Sequence, residues 1–503
     1  MNIVELLSST VERLPDNPAI HFKNEILTYK ELHQKVFQAA AALRSLGVKE
    51  STNVALMMSN RPEYIITYFA LLANGATVVP INPLFKEQEV TYILNDSESE
   101  FLIIEELSRQ VIENVRHQFQ SIKEIIYYGD QELSGYLNWK ELLQHSPSSQ
   151  PVQRKSMDTA QIIYTSGTTG NPKGAMISHS NLNWMAITSA VFSEIKPGDR
   201  ILCVLPLFHA YAKLQGFLSP ISHGATIYLE ERFEPVSILD SIASHKITVF
   251  LGVPTMYAMF VQSPNITELD FSNLRIAGSG GASIPVEIIE KANRLMGVEI
   301  AEGYGMTEST VMLTATPASA EKKHGSVGLP LPGVDLKIID PEGNTIPPKA
   351  VGEIVFRGPN AMKGYYKKPQ ETENTIKNGW LYTGDLAYQD EDGYIFIVDR
   401  KKDLIIRGGY NVYPREIEEI LYTHREVVEC AVIGRPDPLL GEKIVAYIVT
   451  KTSQNEKDLQ DFCKEKLVHY KVPDYISFID QLPKSGTGKI LKTALKKQDK
   501  NFA

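Results

Sequence analysis

Apolar positions in the first four-fifths of the chain follow two alternating rhythms. Residues 31–46 repeat apolar side chains every three to four positions and predict an amphipathic helix that ends at Gly47. Residues 53–58 form a short apolar run that predicts a strand. Residues 63–72 return to the helical rhythm, and 76–80 predict a second strand. Further strands are predicted at 200–205, 226–229, 248–251 and 274–277, with helical stretches between them. Strand and helix in alternation predict parallel α/β layers. The most apolar region, 64–81, is broken by Asn74, Gly75 and threonines, so it reads as a buried helix followed by a strand rather than a membrane span.

The rhythm changes near residue 325. Residues 334–339, 352–357 and 394–398 are short strand patterns separated by turns such as Pro341, Glu342, Gly343 and Asp392, Gly393, which predicts a smaller β-rich part. The run Asp399, Arg400, Lys401, Lys402, Asp403 is too charged for a core and reads as a linker. The last hundred residues are mixed: helices at 415–424 and 459–467, strands at 430–433 and 444–449. The simplest layout is a large domain, 1–399, and a small one, 400–503.

A chain of 503 residues is too long for one core. Its composition, 43% apolar and 22% charged, is that of an ordinary globular protein. A net charge of −9 argues against broad nucleic-acid binding but leaves room for a local anion site. Cys203, Cys430 and Cys463 are far apart and odd in number, so no disulfide framework is expected and a reducing cytoplasm fits. The N-terminus lacks the pattern of a signal peptide.

Residues 164–174 carry the densest chemistry: Tyr164, Thr165, Ser166, Gly167, Thr168, Thr169, Gly170, Asn171, Pro172, Lys173, Gly174. Glycines let the backbone approach a ligand, and hydroxyls, amides and one lysine supply donors to an anion. The strand pattern at 161–164 before the loop and the helical stretch at 180–190 after it suggest a strand–loop–helix phosphate cradle. The stretch is not a Walker A motif, since Pro172 precedes the lysine and Gly174 follows it. Composition alone serves equally well for a surface turn.

Other positions stand out in chain order. His209 closes Leu205, Pro206, Leu207, Phe208; it serves a core or a carboxylate site. Gly278, Ser279, Gly280, Gly281 and Ala282 leave room for a flat ligand edge or make a tight turn. Tyr304, between Gly303 and Gly305, suits stacking on a base, Thr307 offers a donor, and Glu308 offers a hard oxygen for Mg²⁺. Asp385 follows a glycine turn. Lys489 follows Gly486, Thr487 and Gly488 in a basic tail.

Loop 164–174, taken with these positions in this order, closely resembles the adenylate-forming superfamily of acyl-CoA synthetases, luciferases and peptide-synthetase adenylation domains. The overall likeness is to bacterial medium- and long-chain fatty-acid–CoA ligases. The resemblance implies an α/β fold, with a large N-terminal domain of layered α/β subdomains plus a β-rich part and a small mobile α+β C-terminal domain. It implies ATP, CoA and a small carboxylic acid as substrates, with Mg²⁺. Thr165, Ser166, Gly167, Thr168, Thr169, Gly170 and Lys173 would hold phosphates, and Thr165 and Glu308 the metal. Gly280, Gly281, Ala282, Glu302, Gly303, Tyr304, Gly305 and Thr307 would line the nucleotide. Asp385 and Arg400 would hold the ribose, and Lys489 would bridge carboxylate and α-phosphate. His209 and Val253 would line the acyl pocket, Lys402 would be the hinge near 400–403, and Gly408 and Gly409 would border the pantetheine arm.

The expected activity is conversion of the acid to acyl-AMP with pyrophosphate release, then transfer to the CoA thiol. An amino acid is disfavoured, because amino-acid adenylating relatives place an aspartate where His209 stands. Residues 249–260 suit a tunnel wall or a core equally. A coumarate-type aryl acid ligase, and an enzyme that loads a carrier protein, are the alternatives. Oligomeric state is left open, with a homodimer among the options, as is peripheral contact with a membrane.

Overall fold

In the computed structural model the described residues are 2–144, 150–165, 172–484 and 490–499. Two large sheets organise the first 330 residues. The eight-stranded sheet runs, in spatial order, Gly364–Tyr365, Lys173–Ser178, Thr159–Thr165, Thr77–Pro80, Asn53–Met57, Phe101–Glu105, Glu124–Tyr128, Leu137–Asn138. The nine-stranded sheet runs Leu329–Pro330, Thr314–Ala315, Ile300–Tyr304, Ile276–Ser279, Val249–Gly252, Arg200–Cys203, Thr226–Leu229, Pro18–Phe22, Glu25–Thr28. The central strands of both are parallel. Phe101–Glu105 and Thr77–Pro80 are buried along their whole length, as parallel strands covered on both faces must be.

Helices Tyr29–Ser45, Pro62–Ala73 and His179–Phe192 share one core with facing sides of both sheets. The outer face of the eight-stranded sheet is covered by Glu87–Asp96 and Glu106–Val115, through Val90, Ile93 and Ile112. The outer face of the nine-stranded sheet is covered by Pro235–Ser244, Pro254–Phe260 and Val286–Met296. The result is an α/β/α/β/α stack, the layering that the sequence rhythm predicts. The apolar stretch at 64–81 is the buried helix Pro62–Ala73 and the strand Thr77–Pro80.

Beyond residue 330 an antiparallel sheet of Asp335–Ile339, Gly352–Arg357, Trp380–Gln389, Ile376–Lys377 and Ile395–Arg400 forms the expected β-rich part. The last hundred residues make a separate sheet, Tyr410–Val412, Ile405–Arg407, Gly441–Thr450, Val427–Asp437 and Tyr475–Phe478. Helices Pro414–Tyr422 and Glu456–Lys466 pack on it around Ile417, Val432, Ile448 and Leu459.

Two expectations change. The glycine-rich loop does not run from a strand into a helix. Lys173–Ser178 is a strand, antiparallel to Thr159–Thr165, with Thr165 opposite Lys173. The glycine-rich stretch therefore connects two antiparallel strands. The helix His179–Phe192 starts only at the far end of that strand, where the Ser178 hydroxyl accepts from the Asn181 amide. The helix N-terminus thus adds nothing to the anion cradle. Second, the charged run at 399–403 is only partly a linker. Asp399 and Arg400 finish the strand Ile395–Arg400, and Asp399 is buried, its carboxylate accepting from the Arg400 and Arg415 amides. Only 401–403 form a turn between the two sheets.

Candidate nucleotide and acid site

Four neighbouring strands of the nine-stranded sheet end at one cavity of about 1800 Å³. Arg200–Cys203 delivers His209, Val249–Gly252 delivers Val253, Ile276–Ser279 delivers Gly280, Gly281 and Ala282, and Ile300–Tyr304 delivers Gly305, Thr307 and Glu308. Ligands of open parallel sheets sit at the carboxyl ends of strands, where loops diverge. The hairpin supplies Thr165 and Lys173 to the same cavity, the β-rich sheet supplies Asp385 and Arg400, and the small domain supplies Arg415 and residues from Ile490 to Thr493.

Close backbone approach explains several small residues here. A Cβ on Gly305 would lie 1.9 Å from the Val311 carbonyl oxygen, so no other residue fits. A Cβ on Gly280 would press on the Tyr211 ring at 3.1 Å. Thr310 and Val311, just after Glu308, have φ of +50° and +89°. For the β-branched Val311 that is a strained backbone, of the kind that concentrates at ligand sites.

Tyr304 is not the bare exposed ring that two flanking glycines suggest. Its hydroxyl donates to Asp385 Oδ2 at 2.5 Å, and burial, with the Asp385 charge, holds its phenol well above the ordinary value. Asp385 Oδ1 lies 3.4 Å from Arg400 Nε, its cross-strand partner. The β-rich sheet is thereby bolted to the end of the parallel strand.

Glu308 is buried, and its Oε1 accepts from the Tyr365 hydroxyl at 2.7 Å. Its Oε2 has no hydrogen-bond partner among the described residues, which leaves one hard oxygen suited to Mg²⁺. Lys173 forms an ion pair with Glu371 and stands 5.3 Å over the Tyr365 ring. Tyr365 and Glu371 escape a sequence reading. The only signal is the short Gly364–Tyr365 strand, which pairs with Met176 and Ala175 and so folds back onto the hairpin.

His209 caps the helix Ala210–Lys213: its Nδ1 accepts from the Tyr211 amide at 3.4 Å. Glu302 is buried. Its Oε2 accepts from the Ile284 amide at 3.3 Å, while Oε1 has no partner among the described residues. Burial raises its carboxyl to about 7 against the opposing pull of Arg415. Residues 249–260 divide between both expected roles: Phe250, Tyr257 and Phe260 are core, while Leu251, Val253 and Ala258 line the cavity.

Lys402 is exposed in the 401–403 turn at the edge of the cavity. Desolvation first, and then Arg400, lowers its ammonium below the ordinary value. Gly408 and Gly409, with φ of +58° and +83°, make the two-residue turn of a hairpin and are not among the lining residues. Ser166, Gly167, Thr168, Thr169, Gly170 and Lys489 lie outside the described residues. Lys492, three residues after Lys489, is bonded to Glu418 at 2.8 Å beside the cavity. Among the described residues no helix is long and apolar enough to cross a membrane.

The cavity gathers Lys173, Arg400, Tyr304 and Asp385 beside His209 and an apolar wall, groups suited to an anionic nucleotide and a carboxylic acid. The sequence profile of the AMP-binding enzymes matches residues 7–366, and that of their C-terminal domain matches 416–489. A long-chain-fatty-acid–CoA ligase of Bacillus subtilis is 34% identical, covering 98% of this chain and 94% of its own. A feruloyl-CoA synthase of Amycolatopsis is 36% identical over 96% of both chains. Among solved structures, ATP-bound MatB of Rhodopseudomonas palustris is 30% identical with a TM-score of 0.93, covering all of both chains. An anthranilate CoA ligase in complex with anthranoyl-AMP is 29% identical with the same score, covering 99% of this chain and 97% of its own. The chain belongs to the AMP-binding enzyme family and is an AMP-forming acid–thiol ligase, an acyl-CoA ligase of the adenylate-forming type.

Proposed function

We propose that this ligase activates a medium- or long-chain carboxylic acid of largely apolar tail. The acid attacks the α-phosphorus of ATP, pyrophosphate leaves, and the CoA thiol then displaces AMP from the acyl-AMP. The reading is carried by one observation: Thr165, Lys173, Glu308, Asp385, Arg400 and His209 come from five separate parts of the chain and meet at a single cavity with an apolar wall.

Both reactants are anionic, so the chain's work is charge neutralisation and in-line positioning. Lys173, with the hydroxyl-bearing residues Ser166, Thr168 and Thr169, would bind the departing phosphates. Asp385 accepts the ribose hydroxyls, with Arg400 and Tyr304 fixing its orientation. Glu308 and Thr165 would hold Mg²⁺, which would spread the phosphate charge. His209 lines the site of the reacting carboxylate, and Lys489 bridges carboxylate and α-phosphate. The small domain turns about 400–403, with Lys402 as hinge, and exchanges Lys489 for the Gly408–Gly409 turn when the thiol enters. The three cysteines are free and buried, in keeping with a cytoplasmic setting.

An aryl acid is the second reading, favoured by the feruloyl-CoA synthase relative. A panel of straight-chain and aryl acids, assayed for AMP and acyl-CoA with free CoA, tests both. Fatty acids of medium or long chain give the highest kcat/KM if the first reading holds; exclusive use of short aryl acids would replace it with the second.

A further inference from the structure

One strip of the cavity wall that would face the acid's tail is apolar, and a buried amide stands in the same cavity. Leu251, Gly278 and Ala301 are register partners on three neighbouring strands, and all three line the cavity. A Cβ on Gly278 would sit 2.7 Å from Leu251 Cδ2, so this surface is packed smooth and carries no hydrogen-bonding side chain. Gln215 lines the same cavity, on a helical segment whose middle, Leu214–Leu218, is a π-helical turn. Such turns are rare and recur at functional sites.

Gln215 is 5% exposed. Its Oε1 accepts from Ser189 Oγ at 3.1 Å. Its Nε2 carries two N–H donors, and the one acceptor it meets among the described residues is Met312 Sδ at 2.9 Å. A thioether is a weak acceptor, and Ser189 Oγ also approaches it at 3.5 Å. The amide is thus held in place through its oxygen while its donors are under-used. Burying donors without a good acceptor is costly, and a buried polar group in this state on a pocket wall calls for a partner.

We propose that Gln215 is a specificity-determining residue whose amide hydrogen-bonds an oxygen on the tail of the acid, so that the substrate carries a hydroxyl, ether or carbonyl oxygen beyond its carboxylate. The inference rests on reading this cavity as the acid's site. Gln215 lies six positions after His209, roughly 9 Å along the axis at the usual rise per residue. An oxygen across the ring of a cinnamic acid, or near the eighth carbon of a ten-carbon chain, comes within reach. A site built to bond a substrate oxygen discriminates strongly against the analogue without it, whereas an apolar pocket discriminates little.

The test measures kcat/KM, as AMP formation, for wild type, Gln215→Met and Gln215→Leu. Two acid pairs are used: cinnamate with 4-hydroxycinnamate, and decanoate with 8-oxodecanoate. Wild type favours the oxygen-bearing member of at least one pair by about tenfold or more. Both variants bring that ratio close to one. Methionine keeps the length and flexibility of the side chain, so Gln215→Met removes the amide while preserving the packing. Equal use of both members by wild type, or a preference that survives in Gln215→Met, overturns the assignment alone. Absence of AMP with all four acids overturns the proposed function on which it stands.

Discussion

The Tyr304 hydroxyl and the Asp385 carboxylate, 81 residues apart in sequence, are joined by a 2.5 Å hydrogen bond on the wall of the cavity. The bond ties the last residue of a parallel strand to the middle of an antiparallel one, and Arg400 braces the same carboxylate from the neighbouring strand. The ribose-binding carboxylate proposed here is thus oriented before nucleotide arrives.

Removing it should cost nucleotide binding. Asp385→Ala is expected to raise the KM for ATP by about tenfold or more, since it deletes a charged acceptor. Tyr304→Phe keeps the acceptor and loses only its orientation, so a smaller rise is expected. Steady-state kinetics at saturating acid measure both; an Asp385→Ala enzyme with an unchanged KM for ATP would refute the assignment.

Tyr365 fixes Glu308 and packs under Lys173. Tyr365→Phe releases the Glu308 carboxylate, and the account expects a higher Mg²⁺ requirement, by several-fold, in acyl-AMP formation. A Mg²⁺ titration identical to wild type would show that the tyrosine is only a packing residue.

Glu302 makes stability pH-dependent. Its carboxyl is raised from 4.5 to about 7 by burial, so the folded state holds a proton that the unfolded state has lost. The contribution is full below pH ~4.5 and falls away as pH rises toward and past 7, amounting to roughly 3 kcal/mol at most. Glu302→Gln should flatten the fall between pH 5 and 8 and gain about 2 kcal/mol at pH 8. Denaturant midpoints across that range measure it; a slope equal to that of wild type would contradict it.

Lys213 carries the opposite sign. It is buried, donates to Gln161 Oε1 at 2.8 Å, and has no carboxylate partner among the described residues, so burial drives its ammonium well below the ordinary value. The unfolded chain binds the proton that the folded chain gives up, so this residue makes stability rise with pH until the free lysine itself titrates. Lys213→Met should be more stable at pH 7, with Tyr68 still donating to Gln161 at 3.0 Å. A loss of stability at pH 7 would show that the lysine supports its surroundings.

The sequence rhythm announces the layers because parallel strands buried on both faces read as apolar runs. Lys173–Ser178 escapes it. Two of its six residues are Lys173 and Gly174, and it lies so close to the glycine loop that the pair reads as loop and helix. The candidate site is legible wherever one side chain does one job, as at His209, Glu308 and Asp385. It is illegible where residues act through each other across long separations: Tyr365 on Glu308, Glu371 on Lys173, Arg415 near Glu302. Gln215 is hidden for another reason. A lone glutamine in an apolar helical stretch gains meaning only from the cavity it faces and the thioether it meets.

The central claim is that one cavity performs adenylation and that a mobile small domain brings Lys489 to it. Lys489→Ala, assayed separately in the two half-reactions, tests this most directly. The account predicts that acyl-AMP formation from acid and ATP falls by a thousandfold or more, about 4 kcal/mol of transition-state stabilisation. Thioester formation from supplied acyl-AMP and CoA should stay within about threefold of wild type. Equal loss of both half-reactions would contradict it.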